Sequence, residues 1–220
     1  MGAGAGAMAA GTYALLRPQG APELPLLPQA ANAQEATAPE TGDAPEVLEM
    51  VLGDPDAPVE VIEYASFTCP HCATFHRNTL PQIKANYVDT GQVRLVYREV
   101  YFDRFGLWAG MVARCAGPDR YFGIVDLIYE RQAQWTQGSP AEVAEGLRNI
   151  GRMAGLSNEQ LDACLTDAAM AEALIANHEA NMAEHDIPGT PHFVIDGEMN
   201  GNMSYADFAA ILDERVAAAQ

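Results

Sequence analysis

A cysteine pair between a predicted β-strand and a predicted helix is the feature that most restricts the fold of this chain. A strand is predicted over residues 59–65, because the run VEVIEYA is rich in β-branched and aromatic residues. A helix is predicted over residues 73–88 from apolar residues at helical spacing, with a kink at Pro81. A second strand is predicted over residues 93–98. This order predicts a βαβ unit, in which the two strands are parallel and the crossover is right-handed.

The reactive groups are concentrated between the first strand and the helix, in the run Cys69-Pro70-His71-Cys72. Two intervening residues allow the two sulfurs to close a small disulfide ring. Cys69 falls at the N-terminus of the helix, where free backbone N–H groups and the helix dipole favour a thiolate. A protonated His71 and the backbone amide of Cys72 would stabilise that thiolate further. We therefore predict that Cys69 is an exposed nucleophile of low pKa and that Cys72 is the sheltered resolving cysteine.

Two other interpretations of the cysteine pair remain open from the sequence. A closed zinc site needs two further ligands, usually a second close pair, and only His76 is well placed to supply one. A purely structural disulfide would also fit the spacing. The position at a strand–helix junction favours a redox motif over both alternatives.

The pattern of residues after the second strand predicts a block of helices inserted into a protein that is otherwise built on a sheet. Residues 104–185 are predicted to be helical throughout, with capping boxes that begin at Ser139 and Ser157. A hairpin is predicted over residues 193–200 around an Asp-Gly turn, followed by a helix capped by Ser204. The expected fold class is α/β with a helical insertion.

A second, structural disulfide is predicted between Cys115 and Cys164. Cys115 continues an apolar helical stripe with Trp108 and Val112, and Cys164 lies on the same predicted helix face as Leu161. Both cysteines therefore point into the helical block. The alternative is two buried free thiols, but an even cysteine count in an exported chain favours the bridge.

The N-terminal residues 1–33 differ in composition from the rest and are interpreted as an export signal. They contain an uncharged stretch rich in Ala and Gly, and the triplet Ala31-Asn32-Ala33 has the form of a signal-peptidase site. No Lys or Arg precedes the apolar stretch, so a disordered Ala/Gly tail is the alternative. Residues 34–50 have the composition of a linker.

The charge of the chain excludes one large class of partners. Acidic residues outnumber basic ones by 30 to 12, for a formal net charge of −18. A surface this negative repels phosphate backbones and anionic lipid headgroups, so nucleic-acid binding is excluded.

The cysteine motif at a strand–helix junction, with Gly189-Thr190-Pro191 before a later strand, resembles the DsbA-like thiol:disulfide oxidoreductases of the thioredoxin superfamily. The resemblance covers about residues 50–218 and includes the approach segment over residues 53–58. It implies a thioredoxin-like fold over residues 51–103 and 186–220, with residues 104–185 as the inserted helical domain. It further implies that Pro191 is a cis-proline against the active-site disulfide. The resemblance also implies that Glu63 corresponds to a buried carboxylate of the family that shuttles the proton of the second cysteine, here Cys72. The alternative is an exposed glutamate at the sheet edge.

The resemblance also implies a function. It implies a periplasmic protein that donates disulfides to reduced exported polypeptides and is reoxidised by a quinone-linked membrane partner, with no cofactor of its own. Thr190 replaces the Val of the best-known oxidases and also occurs in isomerase-like relatives, so a disulfide isomerase or reductase remains an alternative. The stretch between residues 33 and 59 is short for a dimerisation domain, which favours a monomeric oxidase. A non-catalytic chaperone or metal-binding protein of the same fold is the alternative from another class.

Overall fold

The computed structural model describes Met1 and residues 44–219. The predicted export segment and most of the predicted linker lie outside the described residues, except for Met1. Residues 44–219 belong to one compact unit.

Five strands form a single mixed sheet. In chain order they are β1 (Met50–Leu52), β2 (Val59–Ala65), β3 (Val93–Glu99), β4 (His192–Ile195) and β5 (Glu198–Asn200). Their order across the sheet is β1-β3-β2-β4-β5. Strands β2 and β3 are parallel, with Val59 opposite Val93 and Ala65 opposite Glu99, which confirms the predicted βαβ unit. The other three pairings are antiparallel, including the β4–β5 hairpin. Strand β1 was not predicted, because three residues are too short to display an alternating pattern.

The helix that crosses from β2 to β3 is the element that the sequence predicted least accurately. The first segment of this crossover is helix α1 (Pro70–Asn78), which begins at Pro70 rather than at residue 73. Helix α2 (Leu80–Ile83) follows, with Pro81 in its first turn, where the missing N–H costs no hydrogen bond. A π-helical turn over Lys84–Val88 completes the crossover. The single kinked helix is therefore a chain of three short segments.

The predicted helical block lies in the sequence between β3 and β4. Its helices are α3 (Arg104–Arg114), α4 (Pro118–Glu130), α5 (Gln132–Trp135), α6 (Pro140–Met153), α7 (Asn158–Leu165) and α8 (Ala168–His185). Both predicted capping boxes form, at Ser139 and Ser157, and each satisfies two backbone groups at a helix start. Helix α9 (Tyr205–Ala218) is capped by Ser204, and Phe208 and Leu212 are buried. Among the described residues, no helix combines the length and hydropathy that a membrane span requires.

Each face of the sheet packs against apolar side chains, and the two faces differ in size. The larger core joins Val61, Ala65 and Leu95 of the sheet to side chains of α1, α4, α6 and α9. The smaller cluster contains Ile62, Tyr64 and their neighbours on the opposite face, with Met182 of α8 packed against it. The alternation of side chains along β2 explains this division, because successive residues of a strand point to opposite faces. Glu63 therefore lies on the face of the larger core.

Candidate active site

The two cysteines of the pair occupy very different environments at the start of α1. Cys69 is the N-cap residue of α1 and is half-buried, whereas Cys72 is fully buried one helical turn further on. Both are free thiols. Pro70 occupies the first helical position, which suits its restricted φ angle, and both Pro70 and His71 are exposed. The structure therefore places one sulfur near the surface and encloses the other.

The surroundings of Cys69 favour its thiolate. Hydrogen bonding from the Cys72 thiol is the largest of the effects that lower the pKa of Cys69 to about 5, against the opposing effect of burial. The Thr190 side chain and the backbone N–H groups of Cys72 and His71 lower it further. The contribution of His71 therefore comes through its main chain, since its side chain is exposed.

The surroundings of Cys72 favour its neutral thiol. Burial raises the pKa of Cys72 far above the ordinary value for a cysteine, and the hydrogen bond to Cys69 raises it further. The negative charge of Glu63 acts in the same direction. One cysteine is thus ionised at neutral pH while its neighbour keeps a proton and donates it to the first sulfur.

Thr190 and Pro191 close the other side of the Cys69 sulfur. The peptide bond between them is cis, and Pro191 is buried. As a thiol, Cys69 Sγ donates to the carbonyl oxygen of Thr190 at 3.4 Å. The Thr190 hydroxyl is buried and has no hydrogen-bond partner among the described residues. It is therefore free to donate to the sulfur once the thiolate forms, which accounts for its effect on the pKa of Cys69.

Glu63 lies in the core beside the site. It is fully buried on β2, which excludes the alternative of an exposed glutamate at the sheet edge. Its Oε1 lies 2.9 Å from Nε2 of His76 on α1. His76, the candidate third ligand in the zinc interpretation, thus pairs with a carboxylate. Within residues 44–219, no three His, Cys, Asp or Glu side chains are close enough to hold a metal ion together.

Cys115 and Cys164 form a disulfide that joins the C-terminal end of α3 to α7. Their Cα atoms are 5.8 Å apart, and the bridge encloses 49 residues of the chain. The two helices also contact each other directly, so the disulfide links elements that are already neighbours.

The thioredoxin family matches residues 46–214 of the sequence. The chain belongs to that family. A putative protein-disulfide oxidoreductase of Rickettsia bellii (strain RML369-C) is 34% identical over 169 residues, which are 76% of this chain and 64% of that protein. The chain spans about three-fifths of the length of that relative and of the one from Rickettsia felis.

Two further comparisons concern relatives from other bacteria. A probable disulfide bond formation protein D of Bacillus anthracis is 29% identical, and the match covers 73% of each chain. The crystal structure of Wolbachia pipientis alpha-DsbA1 is similar with a TM-score of 0.72 and 27% identity, over 80% of this chain and 94% of that one. These similarities support a DsbA-like thioredoxin fold with its helical insertion.

Two residues that sequence reasoning missed hold the DsbA-like active-site loop in place. Gln132, buried at the start of α5, donates from Nε2 to the carbonyl oxygens of Phe67 at 2.8 Å and Cys69 at 2.9 Å. Asp103 caps α3 and accepts a hydrogen bond from the Thr68 hydroxyl at 2.8 Å. The N-cap pattern at Asp103 is visible in the sequence, but the contacts of Gln132 with residues more than sixty positions away are not. Both link the helical block to the cysteine pair.

Proposed function

We propose that this protein is a thiol:disulfide oxidoreductase that donates a Cys69–Cys72 disulfide to exported proteins. The observation that carries the proposal is the unequal cysteine pair, with a half-exposed Cys69 of low pKa above a buried, protonated Cys72. An accessible sulfur that is stable as a thiolate is a good leaving group and a selective site of attack. Relatives named as protein-disulfide oxidoreductases support the same activity.

The reaction proceeds by two thiol–disulfide exchanges. A substrate thiolate attacks the Cys69 sulfur, the Cys69–Cys72 bond breaks, and Cys72 leaves with the electron pair and takes up a proton. The mixed disulfide then receives a second substrate thiolate at the substrate sulfur. This step forms the substrate disulfide and releases Cys69 as a thiolate. Two electrons pass from the substrate to the cysteine pair.

The direction of electron flow follows from the stabilised thiolate. Groups that lower the pKa of Cys69 stabilise the reduced protein relative to the disulfide form, so they make the disulfide a stronger oxidant. The hydrogen bonds from Cys72, Thr190 and the start of α1 all act in this direction. The geometry therefore supports an oxidase better than a reductase.

The setting of the activity is also part of the proposal. Reduced polypeptides in the bacterial periplasm are the substrates, and a quinone-linked membrane protein restores the disulfide after each turnover. The Cys115–Cys164 disulfide supports an oxidising compartment, because such bridges persist where thiols are not kept reduced. We propose that the protein acts as a monomer.

Oxidative folding of a reduced, unfolded protein tests the proposed activity. The oxidised protein should convert substrate thiols to disulfides in stoichiometric amounts, and glutathione disulfide should allow repeated turnover. A Cys115→Ala/Cys164→Ala variant is the matched control, since it removes two sulfurs outside the reactive pair and should retain the activity. Rearrangement of scrambled disulfides without net oxidation would indicate an isomerase instead. Substrate binding without exchange would indicate a chaperone and would contradict the proposal.

A further inference from the structure

Glu63 and His76 form a buried hydrogen-bonded pair in the core near the cysteine pair. Glu63 is fully buried and the side chain of His76 is 2% exposed, and the two are joined by the 2.9 Å contact between Oε1 and Nε2. The second carboxylate oxygen, Oε2, has no hydrogen-bond partner among the described residues. Burying a carboxylate costs free energy unless it is paired, so His76 is the group that allows Glu63 to lie in this core.

Cys72 and His76 lie on one face of α1. They are separated by four positions, which places two side chains next to each other on a helix. Both are buried, as is Glu63 on β2. The charge of Glu63 acts on Cys72, and the unpaired Oε2 is its available oxygen. Glu63 therefore interacts with both groups, with the buried sulfur through its charge and with the imidazole through a hydrogen bond.

His76 also lies beside a cleft. His76 forms part of the wall of a surface cleft of about 250 Å³ between α1 and α4, which is also lined by Arg77, Pro81, Asp126, Tyr129 and Glu130. The ring of His76 packs on that of Tyr129, with centroids 4.2 Å apart. Its Nδ1 is buried and has no partner among the residues that the structure describes. A ring nitrogen without a protein partner, in a residue that lines a cleft, can exchange a proton with a water molecule that reaches it through the wall of the cleft.

We propose that His76 carries protons between the cleft and Glu63, so that Cys72 exchanges its proton with solvent on the side of α1 opposite the substrate. The proposal rests on the proposed function. When a substrate thiolate attacks Cys69, the Cys69–Cys72 bond breaks and Cys72 departs with the electron pair. His76 gives its Nε2 proton to the Glu63 carboxylate, Glu63 passes that proton on to Cys72, and water that enters from the cleft supplies a proton to Nδ1. His76 touches neither sulfur and acts only through Glu63.

The need for such a route follows from burial. A Cys72 thiolate in the core is strongly disfavoured, so bond cleavage requires a proton donor at the moment when Cys72 leaves. Glu63 is enclosed in the core, so as a carboxylate it can pass a proton to Cys72 only after it receives one from a neighbouring group. The charged and titratable groups that face His76 are Glu63 on β2, Tyr97 on β3, Asp126, Tyr129 and Glu130 on α4, and Arg77 on α1. Among these, Glu63 alone makes a hydrogen bond to the ring of His76 within the described residues.

Chemical rescue separates a proton route from a structural role. The rate of reduction of the oxidised protein by a dithiol peptide is measured for wild type, His76→Gln and His76→Gly, with and without added imidazole. His76→Gln keeps a donor for Glu63 but cannot pass a proton, so the rate should fall about tenfold or more. His76→Gly should fall similarly and recover with rising imidazole concentration at constant pH and ionic strength. His178→Gln, a half-buried histidine on α8, is the matched control and should leave the rate unchanged.

The outcomes of these measurements test the proton route separately from the proposed oxidoreductase function. Wild-type rates in both His76 variants would overturn the proton route. Slow His76→Gly exchange with no response to imidazole would also overturn it, since His76 would then only support the packing. Thermal melts show whether His76→Gln is folded. If it is folded and exchanges at the wild-type rate, the proton route is overturned, even if His76→Gly does not fold. A wild-type protein that performs no exchange would overturn the proposed function together with the route.

Discussion

The ionisation of Cys69 should make the relative stability of the reduced and oxidised proteins depend on pH. In the folded, reduced protein the pKa of Cys69 is about 5, against an ordinary value of 9.0. Between these two values the unfolded chain binds a proton that the folded chain does not, so the reduced protein gains stability as pH rises. The gain is complete above the ordinary value and is lost as pH falls through about 5. Cys72 stays protonated in both states over pH 4–8, so it adds no slope.

The size of the effect can be worked out for the interval from pH 4 to pH 8. Each pH unit between the two pKa values contributes about 1.4 kcal/mol, which gives about 4 kcal/mol by pH 8. Cys69 is only half-buried, and solvent screening reduces this to about 2 kcal/mol. The disulfide in its four-residue ring stabilises the oxidised protein by about 2 kcal/mol through chain entropy. The oxidised form should therefore be more stable at pH 4, and the two forms should converge by pH 8.

Denaturant unfolding of both redox forms at several pH values measures this difference. Other groups titrate similarly in the two forms, so their contributions cancel in the comparison. Reduced Cys69→Ser is the matched control, since it lacks the thiolate and should show no gain relative to the oxidised protein. Mass spectrometry after alkylation verifies that Cys115–Cys164 stays intact. The reasoning would be refuted if the difference in unfolding free energy between the two forms did not depend on pH. It would also be refuted if the oxidised form became more stable relative to the reduced form as pH rises.

Three further predictions concern the two cysteine pairs and Gln132. Cys69→Ser should abolish exchange, whereas Cys72→Ser should accumulate mixed disulfides with substrate on non-reducing gels; preferential alkylation of Cys72 in the reduced protein would reverse these roles. Removal of both Cys115 and Cys164 should lower the free energy of unfolding by about 4 kcal/mol, because the bridge closes a long loop; an unchanged denaturation midpoint would contradict this. Gln132→Leu should lower the free energy of unfolding by about 2–4 kcal/mol, because it leaves two carbonyl groups near the cysteine pair without their hydrogen-bond donor. Urea unfolding measures that loss, and a decrease below about 0.5 kcal/mol would show that the hydrogen bonds from Gln132 are not needed for stability.

Local sequence patterns predicted the elements that depend on neighbouring residues. The run VEVIEYA predicted β2, the Ser139 and Ser157 boxes predicted two helix starts, and the Asp-Gly turn predicted the hairpin. The position of Cys69 at the beginning of α1 followed from the same kind of pattern. Each of these features arises from interactions within a few positions of the chain. The break of the crossover helix at Thr79 and the π-helical turn after Ile83 were missed, because local propensity predicts a continuous helix there.

The charge states around the cysteine pair were decided by tertiary structure. The Thr190 carbonyl oxygen reaches Cys69 across 121 positions, Gln132 reaches Phe67 across 65, and His76 meets Glu63 across 13. The sequence alone determined that a redox-competent cysteine pair would lie at a strand–helix junction, since helix starts and strand runs are local properties. The sequence already predicted that Cys69 would have the lower pKa, because it lies at a helix start, but only the folded chain determined how deeply Cys72 is buried and which distant groups contact Cys69. Ionisation depends on burial and on hydrogen-bond donors from distant segments, and these meet only when the sheet and the helical block pack together.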